Sequence, residues 1–395
     1  MSDVEKNIGT HKPEFDGEWV RLGDVCEIVM GQSPDSSSYN TDCEGLPFYQ
    51  GNADFGETHP TPRTWCSEPK KVAEPGDILI SVRAPVGAIN VADERCCIGR
   101  GLAAVRSNGA GISNAFLALI LQSKRAYLDS MSTGSTFKAI GKKVLSSCEM
   151  PLYSREVQGR IACQVNWIDD CLRSSRRQLS ALDDLVKSQF VEMFGDTYSN
   201  SKQLPSRKLG ALIDFITSGS RGWSKYYSNE GDYFITIKNV RGCSISLDNV
   251  QHVHAPNNKE AERTKVQSGD VLISITADLG RTGVVSKEIA DHGAYINQHL
   301  ACIRLAGEDI LPLYLSFFLE SPGAKDQLQR KNQTGVKAGL NFDLVKSLDI
   351  LVPPLALQQQ FADFVARVDK LGFDVQQQIE KLETLKQSLM QEYFG

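Results

Sequence analysis

ALDDLVKSQFVEMFG (181–195) and KLETLKQSLMQEYFG (381–395) are one segment written twice, and that decides the architecture. At an offset of 200, Leu182, Leu185, Ser188, Glu192, Phe194 and Gly195 recur as Leu382, Leu385, Ser388, Glu392, Phe394 and Gly395. Upstream, RLGDVCEIVMG (21–31) echoes KLGALIDFITS (208–218), and EPGDILISVRAPVG (74–87) echoes QSGDVLISITADLG (267–280). IGRGLAAVR (98–106) echoes INQHLACIR (296–304), and TGSTFKAI (133–140) echoes QTGVKAGL (333–340). The echoes keep one order while their offsets drift, as two diverged copies with loop insertions should. Each copy is about 200 residues, the size of one domain with an appendage.

The appendage is a helix. Ile161, Val165, Ile168, Leu172, Ser175, Leu179, Leu182, Val186, Gln189 and Met193 alternate steps of four and three. The second copy gives Phe361, Val365, Val368, Gly372, Val375, Ile379, Leu382, Lys386, Leu389 and Tyr393. A heptad seam this long is a coiled-coil signal. Pro151, Pro353 and Pro354 mark the helix starts, and Gly195 and Gly395 the stops. Only GDTYSNSKQLP (195–205) separates the first helix from the second domain. That short linker favours antiparallel pairing, in which the end of helix one lies beside the start of helix two. Two domains at the ends of a rod, related by a pseudo-twofold axis, are expected.

Residues 17–150 and 205–345 have another texture. They are rich in Gly, Ser, Asn and Pro and carry short β-like runs such as DILISV and DVLISIT. ISNAFLALILQSKRAYLDSM (112–131) and LPLYLSFFLESPGAKDQLQR (311–330) read as helices. The fold class is α+β, two domains with mostly antiparallel sheets joined by an antiparallel helix pair.

Composition excludes other classes. The chain has 395 residues, 41% hydrophobic and 23% charged, enough for several buried cores. The lack of an apolar run of about 18 residues argues against a spanning helix. MSDVEKNIGT has no apolar core of a secretory signal, so the cytoplasm is expected. Ten cysteines are scattered without a C-x-x-C pair, which reads as reduced core residues and not a zinc site. The net charge of -5 does not advertise nucleic-acid binding, so any DNA affinity must come from local patches or from partners.

Catalytic signatures are missing. GSTFKAIGKK has the wrong spacing for a phosphate loop. Gly99, Gly101 and Ala104 form a G-x-G-x-x-A string, but no convincing helix follows and the second copy reads N-Q-H there. H-E-x-x-H, G-x-S-x-G and the N-P-P-[YF] or D-P-P-[YF] base-methylation strings do not occur. The six histidines fall in pairs that lie in only one copy or in a loop, so they read as satisfied or solvated side chains and not as ligands.

These residues carry a family resemblance. Two divergent domains, each opening L-G, containing G-D-[IV]-L-I-S and followed by a long helix ending F-G, resemble the specificity (S) subunit of a Type I restriction–modification enzyme. MPLYSREVQGRI (150–161) and VPPLALQQQF (352–361) are similar to the family's Pro-Leu…Gln-x-x-Ile approach to the conserved helix. INQHL (296–300) is typical of the second-domain motif. The resemblance covers residues 17–395. It implies target recognition domains at 17–150 and 205–345, and conserved spacer helices at 151–195 and 346–395. It further implies a bipartite double-stranded DNA target and two methyltransferase (M) subunits carrying S-adenosylmethionine. Restriction (R) subunits using ATP and Mg are also implied, with no cofactor, metal or catalysis in this chain.

Base readout needs donors and acceptors on loops entering the major groove. The expected readers in the first domain are Gln32, Ser33, Tyr49, Gln50, Asn52 and Arg83. In the second they are Ser218, Arg221, Trp223, Ser224, Lys225, Tyr227, Lys238, Asn239 and Arg241. Lys138, Lys142 and Lys143, and Arg330, Lys331 and Lys337, are expected at phosphates. The other readings are a coiled-coil assembly adaptor without DNA readout and the recognition part of another DNA-modifying enzyme.

Overall fold

The computed structural model describes residues 17–133, 138–276, 278–333 and 340–395, with the side chains of 331–333 outside that description. It divides into two compact units. One runs to Arg176 and takes in Gln377–Gly395; the other is Arg177–Gln376. The compact units are therefore not the sequence copies, because each unit contains the latter half of the other copy's helix.

In the first unit, Cys26–Met30, Leu102–Ser107, Ile78–Ser81 and Ile89–Val91 form an antiparallel sheet in that spatial order. The strand Ile78–Ser81 is buried on both faces. Ile78 and Ile80 meet the helix Asn114–Ser123 in the main core, while Leu79 joins Tyr49, Ile98 and Leu102 on the other side. That double burial is why DILISV is a continuous apolar run and not an alternating one. A second sheet orders Tyr39–Asn40, Trp65–Cys66, Leu46–Tyr49, Cys96–Ile98 and Val72–Ala73, with Leu46–Tyr49 and Cys96–Ile98 parallel.

The second unit repeats the plan. Ile213–Ser218, Leu300–Leu305, Val271–Ser274 and Thr282–Val284 form the antiparallel sheet. Asp232–Ile235 and Ala294–Ile296 form the parallel pair of its second sheet.

The repeated motifs turn out to be joints of this frame. Gly76 and Gly269 have φ of 87° and 84°, the left-handed conformation that favours glycine. The aspartates that follow close those turns and hold an arginine. Asp77 accepts from the Glu74 N–H at 2.8 Å and from Arg106 at 2.6 Å. Asp270 accepts from the Gln267 N–H at 2.7 Å and from both Nε and Nη2 of Arg304 at 2.8 and 2.7 Å. In L-G, Leu22 and Leu209 are fully buried, and a Cβ on Gly23 would sit 2.8 Å from Ser146 Cβ. The glutamine of the helix approach is buried in both copies. Gln158 accepts from Ser113 N–H and donates to the Gly111 and Tyr153 carbonyls. Gln358 accepts from Leu311 N–H and donates to the Asp309 and Pro353 carbonyls.

The long helices are Arg155–Phe194 and Leu355–Phe394. All twenty seam positions are buried or half-buried. Within the first unit, Asp169 pairs with Lys386 at 2.6 Å, and Gln164 accepts from Tyr393 at 3.3 Å. Within the second, Phe190 and Phe194 pack on Phe361, while Leu179 and Leu182 face Gly372. Later residues of one helix meet earlier residues of the other, so in each unit the pairing is antiparallel. Each F-G ending plugs the unit it reaches: Phe394 packs on Phe116, and Phe194 on Tyr314, with centroids 5.4 and 4.7 Å apart.

The residues 196–204 that follow the first helix are folded turns. Asp196 accepts from the Tyr198 and Ser199 N–H groups, and Thr197 Oγ1 donates to Ser321 Oγ at 2.9 Å. None of the ten cysteines is in a disulfide; seven are buried, Cys171 is half-buried, and Cys43 and Cys163 are exposed. Among the described residues, no helix is long and apolar enough to cross a membrane.

Candidate nucleic-acid interface

Antiparallel register brings three loops to one end of each main sheet. In the first unit these follow Met30, precede Leu102 and follow Ser81. Gly31 N–H donates to the Leu102 carbonyl and Gln32 N–H to the Ile98 carbonyl. Arg100 N–H donates to Ser33 Oγ at 3.4 Å. The Gly99 N–H reaches the Tyr49 carbonyl, placing Gln50 beside the same edge. Ala84 N–H bonds the Lys138 carbonyl, bringing that segment alongside Arg83. Gln32, Gln50, Arg83, Arg100 and Lys138 are all exposed there, and Ser33 and Asn52 are half-buried. Lys138 also lies 3.8 Å from Asp129. Lys142 and Lys143 are exposed on the short helix Lys142–Ser146 that follows.

The glycines of the G-x-G string serve close packing. A Cβ on Gly101 would lie 2.2 Å from the Gln50 carbonyl oxygen, and one on Gly99 3.2 Å from Gln50 Cα. No phosphate need be invoked to explain them.

In the second unit the same edge is formed after Ser218, before Leu300 and after Ser274. Gly219 is pressed against this edge: a Cβ there would lie 2.0 Å from the Ile296 carbonyl oxygen. Arg221, Ser224, Lys225, Tyr227, Lys238 and Arg241 are exposed and Ser218 is half-buried. Lys225 Nζ lies 4.9 Å above the Tyr226 ring.

Three expected readers are inside the protein instead. Tyr49 is 1% exposed, packed in the core between the two sheets of the first unit; burial pushes its phenol pKa up. Trp223 is 3% exposed and packs against Phe234 and Tyr295 at 5.2 and 5.0 Å. Asn239 is buried because its side chain closes a turn, accepting from Thr236 N–H at 3.0 Å and donating to the Ser246 carbonyl at 3.2 Å. Arg330, expected at phosphate, is held by Asp326 and by the Tyr198 hydroxyl at 2.7 Å. Lys337 and the side chain of Lys331 lie outside the described residues.

Other residues at these edges escaped the sequence reading. Arg100 and Gln298 occupy the matching loop in the two copies, inside the quoted strings IGRGL and INQHL. His299 Nδ1 lies 2.6 Å from Thr276 Oγ1, and its Nε2 lies 3.0 Å from Gln298 Nε2. Arg263 braces the loop after Ser218, donating to the Ser218 carbonyl at 2.9 Å and Ser220 Oγ at 3.1 Å. No local pattern announces that brace, since its partners lie 43 to 46 residues away. Each unit thus offers one rigid edge carrying a different set of exposed amides, hydroxyls and cations, the groups that can read base edges and phosphates.

The sequence model described as "Type I restriction modification DNA specificity domain" matches twice, at residues 16–182 and 206–384. The type I restriction enzyme MjaX specificity subunit of Methanocaldococcus jannaschii is 43% identical over 174 residues, 44% of this chain. That match spans only 41% of the relative's own length. The EcoBI specificity subunit of Escherichia coli is 19% identical over 99% of this chain and 88% of its own. A crystal structure of the type I restriction–modification S subunit from M. genitalium shares the fold. Its TM-score is 0.57 at 14% identity, covering 98% of this chain and 99% of that one.

Proposed function

The chain belongs to the Type I restriction modification DNA specificity family, and from that premise we propose that it is the sequence-reading subunit of a restriction–modification complex. Its two recognition edges each read one half of a bipartite duplex target. The observation that carries this is the duplicated edge: one backbone frame, built twice, displays Gln32, Gln50 and Arg100 in one unit and Arg221, Lys238 and Gln298 in the other. Matching joints with divergent tips suit a protein whose two halves must read different bases.

The long helices are the platform for two methyltransferase subunits. Their outward Trp167, Leu371 and Phe373 are exposed and offer apolar surface for docking. Base methylation belongs to those partners with S-adenosylmethionine, and cleavage to restriction subunits with ATP and Mg; this chain is the non-catalytic reader. With a net charge of -5 it needs such partners to enclose DNA tightly.

Replacing residues 206–345 with the matching segment of another family member tests the reading. Methylation mapping of cells expressing the hybrid with its methyltransferase subunit should show one half-site changed and the other retained. Alteration of both half-sites, or of neither, would refute two independent readers.

A further inference from the structure

A cleft of about 620 Å³ opens in the second unit between Arg241, Arg281, Lys325 and Glu320, floored by Leu279 and Leu328. Its rim is rigid. Gly242 and Cys243 both have positive φ, 58° and 62°, and form the two-residue turn of the hairpin Val240–Arg241 with Ser244–Ile245. Cys243 is buried, and its N–H and that of Thr282 both donate to Glu320 Oε1, at 3.4 and 2.8 Å. That carboxylate is therefore committed to holding the hairpin against the sheet. Arg281 is paired with Asp278. Among the described residues, Arg241 and Lys325 have no carboxylate within ion-pair distance, and with Arg281 paired to Asp278 the three cations and two carboxylates of the lining leave the cleft one positive charge in excess.

The cleft adjoins the recognition edge. Arg281 N–H donates to Ser274 Oγ at 2.9 Å, and Ser274 ends the central strand of that edge. Among the described residues no aromatic side chain lines the cleft, so a free nucleotide base would have no ring there to stack on. Open shape, two exposed cations outside any ion pair and no base platform suit a chain of phosphates running past.

We propose that this cleft holds the phosphodiester backbone of duplex DNA beside the second half-site, with Arg241 and Lys325 as its contacts to phosphate oxygen. This rests on the reading above, and it makes Arg241 a positioning residue and not a reader of bases.

The test measures duplex affinity against salt for the chain assembled with its methyltransferase partner, on a duplex carrying the mapped methylation target. Arg241→Gln and Lys325→Gln should each lower the slope of log affinity against log salt by about one. Penalties for mismatched bases in both half-sites should stay as in the wild type. Arg241→Lys should keep the slope, and Asp278→Asn, which frees Arg281, should steepen it, so a poorly folded glutamine variant leaves the claim open to refutation. An unchanged slope in all variants overturns the proposal, as does a changed base preference in Arg241→Gln. Titration with AMP separates the other source of phosphate: Arg241-dependent AMP binding would make the cleft a nucleotide site and also overturn it. If the wild-type complex shows no target-selective binding, the recognition reading itself fails and the cleft falls with it.

Discussion

The two units are built on the same joints and differ at their tips, and this separates what holds the fold from what can vary. Asp77 with Arg106 matches Asp270 with Arg304, and Gln158 matches Gln358, with the same partners in kind. The loops at these edges share almost nothing: exposed Arg100 in one unit stands where half-buried Gln298 stands in the other, and among the described residues only the second has an arginine brace, from Arg263. Close backbone contacts tolerate few residue types, whereas exposed tips tolerate many.

The strongest challenge to this comparison is to remove a plug from the far helix. Phe394→Ala should destabilise the first unit by about 3–5 kcal/mol, because a buried ring that touches Phe116 is lost and leaves a cavity. Phe194→Ala should do the same to the second unit, where Phe190, Tyr314 and Phe361 surround it. Hydrogen exchange locates the damage. Faster exchange in Asn114–Ser123 after Phe394→Ala is expected; protection unchanged there, with loss in the second unit, would contradict the assignment of each helix end.

Next in size are the buried glutamines. Gln158→Ala leaves one N–H and two carbonyls without their partner, and Gln358→Ala does likewise. Partial hydration limits each loss to about 3 kcal/mol, roughly 6–12 °C in the melting of the affected unit. Equal penalties in the two copies support equivalent joints. A penalty in only one would show that the shared motif is kept for different reasons.

The ion pairs sharpen the comparison, because here the copies differ in quality. Arg304 grips Asp270 with two donors, whereas Arg106 uses Nη2 and leaves its buried Nε without a partner. Lysine cannot reproduce a two-donor fork, so Arg304→Lys should cost about 1.5 kcal/mol and Arg106→Lys about half that. Thermal melts of the two variants check the ranking, and a reversed order would reject it. Burial raises the Asp77 carboxyl above its usual range, against the pull of the Glu74 N–H and Arg106. The unfolded chain then binds fewer protons than the folded one between the two values. Stability from this group is present below the ordinary carboxylate value and is lost as pH rises through the raised one. Asp77→Asn should remove that component from a stability–pH curve of the first unit.

Much of the frame was legible because its causes are periodic or local. The seam followed from steps of three and four, and every seam residue is at least half-buried. L-G, G-D and F-G could be aligned because each has one steric or turn-closing task. The tips were less legible. SGSRGWSKYY reads as an exposed polar loop, yet its tryptophan anchors an aromatic cluster, since burial there depends on Phe234 and Tyr295 from distant strands. Tyr49 and Asn239 sit next to exposed residues in sequence and point inward, and only the fold separates neighbours of that kind. The exchange of helix halves between compact units also lies beyond pattern, because periodicity names a seam but not the domain its end will enter.

The smallest expected effect lies in the seam itself. Position 172 is a buried leucine in the first helix, while the matching position 372 is glycine. Glycine inside a helix costs about 1 kcal/mol relative to alanine through backbone entropy. An added Cβ at Gly372 would meet Leu179 Cδ2 at 3.9 Å and Leu182 Cδ1 at 4.0 Å, ordinary contact distances. Gly372→Ala should therefore stabilise the second unit by about 0.5–1 kcal/mol with no side chain displaced. Gly372→Leu, which imitates the first copy, adds three further carbons where those leucines already stand, so repacking should consume the gain. Chemical denaturation of the two variants separates the cases. If alanine lowers stability, the glycine is required by a contact along the seam that its spacing does not reveal, and the two helices are less equivalent than their heptads suggest.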